Sequence, residues 1–355
     1  MSFKFNFDLE ADGDDLETGG VEPSPIVPVE DASSASSRVP AQLHSLDELI
    51  SKLPPHIAFS SLAIPLTPSK TITIPRRELF DVKMQLMAED NNPSADGSEN
   101  FSAAFTDEDI RTNTYEGGLK SWECSSDLVK QLASDSDDWK NSSGRIIELG
   151  CGTALPSCYI LQMLLSSQTN RSIHLTLTDY NIDVLRLVTL PNLILAYLYA
   201  TNNLPSLDPS VIDGPEETPE IELTPAVISS FLSTLQGQNI TISFLSGSWS
   251  PVTISLIHGG LEYPSTADET MYSLLLASET IYSPSSIPAF IDMIEHTLAN
   301  TGKGYIAAKD VYFGVGGSVK DFVDLIETKS WKWEVVREEK RGVGVGRVVG
   351  VVSKS

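Results

Sequence analysis

Basic residues are scarce in this chain. Its 355 residues carry 24 Lys and Arg against 48 Asp and Glu, a formal charge of −24. A protein that grips nucleic acid must lay cations along the phosphates, so direct nucleic-acid binding is not expected. Cysteine is scarcer still. Only Cys124, Cys151 and Cys158 occur, an odd count without a CxxC pair, which supports neither a disulfide framework nor a zinc ribbon and points to a reducing compartment. The five histidines, His44, His56, His174, His258 and His296, lack metal-ligand spacing, so no metal is expected. The opening Met-Ser-Phe-Lys-Phe-Asn-Phe-Asp has neither the basic flank nor the continuous apolar run of a signal peptide. The greasiest stretch, Leu185 to Ala200, is interrupted by Arg186, Thr189, Pro191 and Asn192 and falls short of the roughly 20 apolar residues that cross a bilayer. A soluble monomer is expected.

What is present is enough to fold: 41% of residues are hydrophobic and 20% charged. Residues 1–45 hold nine acids against Lys4 and Arg38, with Ser and Pro between them, and read as a disordered acidic tail. Residues 46–113 read as an N-terminal extension and linker: Leu46 to Ile50 as a short helix, Lys70 to Pro75 alternating like an edge strand, and Ala88 to Asn100 as a loose acidic connection. From residue 114 to 355 short apolar runs alternate with helical stretches, the pattern of a parallel α/β sheet. Strands are expected at Arg145–Leu149, Ser172–Thr178, Asn239–Leu245, Ser273–Ser278, Gly304–Lys309, Trp333–Glu338 and Arg347–Val352. Helices fit at Leu155–Ser166, Ile182–Thr201, Pro225–Gln236, Ser286–Ala299 and Val319–Thr328. The last two strands are separated only by a turn at Arg341–Gly346, which suits an antiparallel hairpin. Residues 205–222, acidic and Pro-containing, read as a surface insertion.

The first strand ends in Glu148-Leu-Gly150-Cys-Gly152-Thr-Ala154-Leu155, and a helix follows at once. Glycines there let the backbone pass close beneath a ligand, while the helix offers unpaired N–H groups. A dinucleotide fingerprint wants another glycine where Leu155 stands, so NAD is disfavoured. Glu148, two residues before Gly150, suits a ligand bearing an ammonium group. The second strand ends at Thr178-Asp179-Tyr180-Asn181, with Asp179 27 residues after Gly152, a spacing at which an acid can accept two ribose hydroxyls. Each feature also has a plainer role: the loop as a turn, Asp179 or Asn181 as a helix cap, and Trp122 and Trp249 as core anchors. Strand C-termini face the ligand crevice of such sheets, which makes Ser278, Glu279 and Thr280 site candidates. Ser278 lacks the G-x-S-x-G setting of a hydrolase elbow. The run Lys309-Asp310-Val-Tyr-Phe313-Gly-Val-Gly-Gly317 is either a mobile site loop or a turn.

Taken together, Gly-Leu-Lys-Ser-Trp-Glu-Cys at 118–124, Glu-Leu-Gly-Cys-Gly at 148–152, Thr-Asp-Tyr-Asn at 178–181, Gly-Ser-Trp at 247–249, Ser-Glu-Thr-Ile-Tyr at 278–282 and Tyr-Phe-Gly-Val-Gly-Gly at 312–317 resemble the eukaryotic histidine protein methyltransferase family. The resemblance covers roughly residues 114–353. It implies a class I, seven-stranded, Rossmann-like methyltransferase sheet with a terminal antiparallel hairpin and S-adenosyl-L-methionine as cofactor. It also implies a substrate, a histidine of the third large-subunit ribosomal protein, and residence in cytoplasm and nucleus. Carried over by position, cofactor contacts fall on Lys120, Ser121, Trp122, Glu123 and Cys124, on Gly150 with Glu148 and Gly152 of the same loop, on Thr178, Asp179 and Tyr180, on Gly247, Ser248 and Trp249, and on Ser278. Thr153-Ala154 departs from the small pair ending in glycine that members often carry nearby. A neutral imidazole has a free lone pair near pH 7, so the enzyme needs alignment more than a strong base. Glu279 and Asp310 are the candidates for orienting its tautomer. Lysine methylation on the same fold, or an inactive cofactor-binding scaffold, are the alternatives.

Overall fold

The computed structural model describes residues 39–90, 117–135, 139, 144–167, 171–204, 218–259, 270–339 and 345–354. The acidic residues 1–38, the linker beyond Asp90, Tyr115, Glu116, residues 205–217 and most of the turn near Arg341 lie outside them.

Eight strands form the main sheet: β1 (Gln42–His44), β4 (Arg145–Leu149), β5 (Ile173–Asp179), β7 (Ile240–Ser246), β8 (Tyr272–Ser278), β9 (Leu298–Lys309), β10 (Trp331–Glu339) and β11 (Arg347–Lys354), in the order β1-β7-β5-β4-β8-β9-β11-β10. β7, β5, β4, β8 and β9 pair in parallel, and β11 inserts antiparallel between β9 and β10. Without β1 this is the class I sheet with its terminal hairpin. The period-two alternation of strand side chains divides the core. Ile146, Leu175, Leu177, Leu274, Leu276 and Tyr305 face one layer of helices, whereas Ile147, Leu149, Leu275, Ala277 and Ile306 face the other.

On the first face lie α3 (Glu123–Ser134), α4 (Leu155–Ser166) and α5 (Ile182–Ala200), and α6 (Pro225–Gly237) contributes Phe231 and Leu235 to the same core; α8 (Ile287–Thr297) and α9 (Val319–Glu327) cover the second face. A short helix absent from the sequence reading, α7 (Pro251–Ile257), joins the second layer; the Ser250 hydroxyl caps it by accepting from Thr253 N–H at 3.3 Å. α5 is long and apolar enough to span a bilayer, yet 78% of its apolar window is buried within the fold. Its greasiness serves the core. Residues Leu185–Thr189 of α5 wind as a π-helical turn just before Pro191, which has no N–H to donate and cannot continue a regular ladder.

The N-terminal extension is more structured than its composition suggests. α1 (Leu46–Ser51) appears where expected, and β3 (Lys70–Arg77) is an edge strand, but it pairs with a twelve-residue β2 (His56–Thr67) that the prolines and serines of that stretch disguise. β2 also pairs with β6 (Glu220–Glu222), so the end of the expected 205–222 insertion is a strand. α2 (Leu79–Asp90) packs Val82 and Leu86 on Leu119, Val184 and Leu187. The tail expected over residues 1–45 does not reach that far. Gln42–His44 pair with β7, and His44 is buried with Nε2 2.8 Å from Ser246 Oγ, because the β7 edge supplies unpaired backbone groups that a short strand satisfies.

Candidate active site

The carboxyl ends of β4, β5, β7, β8 and β9 converge on one edge, where parallel sheets bind ligands. Between β4 and α4, Gly150, Gly152 and Ala154 all adopt left-handed conformations, with φ of 61°, 51° and 53°. This tight path turns the Gly152 N–H toward Asp179, whose Oδ2 accepts it at 2.9 Å, while Oδ1 accepts Asn181 N–H at 3.2 Å. Neither Asp179 nor Asn181 caps α5 through its side chain. Asp179 therefore ties two loops together, at the strand end where an acid can accept ribose hydroxyls.

The loop is held from behind by residues that sequence reasoning passed over. Thr189 Oγ1 donates to Gly152 O at 2.7 Å, and Asn192 Nδ2 to Thr153 O at 2.8 Å. Asn192 Oδ1 in turn accepts Arg77 N–H at 2.7 Å, and Arg77 Nη1 reaches Leu187 O at 2.9 Å. Two of the interruptions of the apolar stretch, Thr189 and Asn192, were the available signal: they are side chains of α5 that face the loop. Ser121 closes the other side, its hydroxyl 3.0 Å from that of Thr153.

A β-carbon on Gly150 would stand 3.0 Å from Thr280 Cγ2 and 3.8 Å from the Trp249 ring, so the bare backbone borders the space between those side chains. Trp249 is half-buried and stacks on Phe290 with centroids 5.2 Å apart. Gly247, at φ 112°, donates its N–H to the carbonyls of Asp179 (3.0 Å) and Tyr180 (3.1 Å), and Ser248 donates N–H and hydroxyl to Val39 O, each at 3.0 Å. Thr280 Oγ1 and Asn181 Nδ2 are buried with no hydrogen-bond partner among the described residues. A left-handed glycine cradle, an anchored acid, a half-buried indole and unsatisfied polar atoms together suit an adenosine bearing an amino-acid tail.

Three expected contacts are buried inside the fold. Glu148 has no solvent exposure, because alternate residues of β4 point toward α4; its Oε2 accepts the Ser157 N–H at 3.1 Å and the Ser157 hydroxyl, and Oε1 has no partner. Burial pushes the Glu148 carboxyl up to about 8, so it is largely neutral at pH 7 and braces the helix start from beneath the loop instead of facing a ligand ammonium. Cys124 is likewise fully buried, and its thiol is driven well up by burial and by nearby Glu279. Thr178 is buried as well, its hydroxyl 3.4 Å from Glu148 O.

The remaining candidates gather beside β8 and β9. Lys309 Nζ lies 3.4 Å from Glu279 Oε1 and 3.3 Å from Glu123 Oε2, and 5.1 Å from the centroid of the Trp122 ring, which Lys120 Nζ approaches at 4.9 Å. Trp122 Nε1 donates to Gly117 O at 3.0 Å. Burial draws the Lys309 ammonium down, but Glu279 and Glu123 more than offset it, so the lysine is charged. α3, which presents Trp122 and Glu123, is pinned by buried Asp127 to Arg347 at 2.6 Å and by Lys130 to Glu339 at 3.3 Å. Glu279 adopts φ 56° and donates its N–H to Ala307 O, which aims its side chain into this cluster. Asp310 is half-exposed nearby, its N–H donated to Gly346 O, and Ser278 is half-buried at the end of β8.

No protein-family profile matches the chain. Among solved structures, a CurJ carbon methyltransferase (12% identity, TM-score 0.36, 65% of this chain and 54% of that one) and the glycopeptide N-methyltransferase MtfA (8%, 0.34, 64% and 94%) are only loosely similar and add nothing to the topology. Sequence relatives are much nearer. Histidine protein methyltransferase 1 of Schizosaccharomyces pombe is 37% identical over 250 residues, spanning 70% of this chain and 68% of the relative. That of Saccharomyces cerevisiae is 40% identical over 264 residues, 72% and 68% of the two chains. With such identity over more than two thirds of each relative, this chain belongs to the histidine protein methyltransferase family.

Proposed function

We propose that the protein transfers a methyl group from S-adenosyl-L-methionine to a ring nitrogen of one histidine in a basic large-subunit ribosomal protein, the third by the family resemblance, acting as a monomer in cytoplasm and nucleus. The observation that carries the cofactor reading is the Gly152 N–H held by Asp179 Oδ2 at 2.9 Å, which locks the glycine loop and the ribose-accepting acid into one rigid edge. The bound cofactor would supply an electrophilic methyl on a sulfonium. Gly150, Asp179, Gly247 and Trp249 would hold it, with Thr280 and Asn181 offering polar atoms that have no partner among the described residues.

The protein's remaining task is to orient the imidazole and handle its proton. Glu279, backed by Lys309 and with a side chain only 10% exposed, presents a carboxylate that accepts the N–H of the non-attacking ring nitrogen. That bond selects the tautomer with its lone pair on the attacking nitrogen. The same carboxylate can take the ring proton once the ring has become cationic. A net charge of −24 favours encounter with a basic protein whose RNA contacts are not yet made. The test is to incubate the purified protein and labelled cofactor with the free ribosomal protein, assembly intermediates and mature ribosomes, and again with the target histidine changed to alanine. Label confined to that histidine in the free protein is expected; label on lysine, or label surviving the change, overturns the histidine reading.

A further inference from the structure

The run from Val311 to Gly317 is unused by the chemistry above, although its base is built with care. Tyr312 is buried, 8% exposed, and its hydroxyl accepts Lys309 N–H at 3.2 Å. Tyr312 N–H donates to Gly317 O at 2.9 Å, Gly316 N–H to Tyr312 O at 3.0 Å, and Gly317 N–H to Tyr282 O at 2.9 Å. Gly314 and Gly316 take φ of 86° and 87°, turns that side chains resist, and a β-carbon on Gly317 would overlap the Ile281 carbonyl. This scaffold lifts Phe313 clear of the body at 82% exposure, beyond every other large apolar side chain among the described residues, with Val311 (39%) and Val315 (38%) beside it.

An aromatic held out in water contributes nothing to the core. Its place is informative: the loop leaves β9 directly beyond Lys309, and its anchor Tyr312 stands against Tyr282 with centroids 6.4 Å apart, in the Glu279 cluster. Three carboxylates, Glu123, Glu279 and Asp310, adjoin it against two lysines, Lys120 and Lys309, within a chain of charge −24. We propose that Phe313, flanked by Val311 and Val315, is the docking finger for the protein substrate: it engages an apolar residue close in sequence to the methyl-accepting side chain, on a segment whose remaining charge is basic. This rests on the protein-substrate reading above and adds the surface that recognises it. A rigid finger loses little entropy on binding, which is why its base is hydrogen-bonded while its tip is bare.

The experiment compares wild type with Phe313→Ala, Phe313→Asp, Phe313→Tyr and, as a remote exposed control, Leu325→Ala. Initial methylation rates are measured against increasing free third large-subunit ribosomal protein, with S-adenosylhomocysteine affinity by calorimetry on each variant. Phe313→Asp and Phe313→Ala are expected to raise KM for the ribosomal protein by roughly tenfold or more, with cofactor-product affinity within about twofold and the Tyr and Leu325 variants near wild type. A KM within about twofold of wild type in both the Ala and Asp variants overturns the finger. If wild type labels a lysine of this probe, the histidine reading fails while the KM comparison still judges the finger. A wild type that labels the probe nowhere overturns both.

Discussion

A β-carbon at Gly247 would overlap the carbonyl of Pro40, so the N-terminal strand runs hard against the loop that leaves β7. The contact is not isolated. Val39 O accepts both donors of Ser248, and Gly247 N–H bonds the carbonyls of Asp179 and Tyr180, so β1 is linked through one glycine to the acid that holds the cofactor loop.

Deleting residues 1–38 should therefore leave stability and S-adenosylhomocysteine affinity nearly unchanged, whereas deleting 1–45 strips β1 from β7. Removing two or three hydrogen bonds from one loop, each worth about 0.5–1.5 kcal/mol, should weaken cofactor-product affinity by roughly tenfold. Calorimetry on both truncations checks this, and equal affinities would show that the strand is only a decoration of the sheet edge.

Asp179→Ala leaves the Gly152 and Asn181 N–H groups without their acceptor and removes the proposed ribose contact. A loss of about 1–3 kcal/mol in stability is expected, along with cofactor binding too weak to saturate. Gly150→Arg fills the cradle beside Thr280 and Trp249 and forces a side chain onto φ 61°. Wild-type calorimetric affinity in folded samples of both variants would sink the cofactor assignment.

Glu148 makes stability depend on pH. Its carboxyl is raised from the ordinary carboxylate range to about 8 by burial, so the folded protein binds more protons than the unfolded chain between those values. Its contribution is complete below about 4.5 and is lost as pH climbs through about 8. Urea melts of the ligand-free protein at pH 6 and pH 8.5 should show wild type losing on the order of a kcal/mol or more across this interval. Glu148→Gln should flatten that slope, and a slope unchanged by the substitution would place the titrating group elsewhere.

Glu279→Gln keeps the shape of the residue proposed to hold the tautomer but not its charge. Turnover should fall by roughly tenfold to a hundredfold, with S-adenosylhomocysteine affinity retained. If turnover holds and only affinity drops, the carboxylate belongs to the cofactor.

Asp127, with a side chain only 2% exposed, holds Arg347 of β11 and so fixes the helix that carries Trp122. Asp127→Ala leaves the partly exposed Arg347 without its buried partner and should destabilise the protein by about 1–3 kcal/mol, read as a lowered urea midpoint.

Local chemistry determined much of this protein. The apolar runs Arg145–Leu149 and Ile173–Asp179 are strands because branched residues suit a buried parallel sheet, and the glycine loop and Asp179 fall at their ends because strand lengths are set locally. Leu155–Ser166 is a helix by its own pattern, from first residue to last. Other features were settled by distant partners. Glu148 looked like a ligand residue until the pleat turned it toward Ser157, and Leu43 and His44 looked like part of a charged tail until the open edge of β7 took them as a strand. Thr189 and Asn192 seemed mere interruptions of a greasy helix, yet a π turn and the packing of α5 on α4 carry them to the carbonyls of Gly152 and Thr153. Period and propensity are written in neighbouring residues; which face a carboxylate meets, and which edge accepts a stray strand, depends on partners that only the fold brings together, nine residues away for Glu148 and 202 for His44.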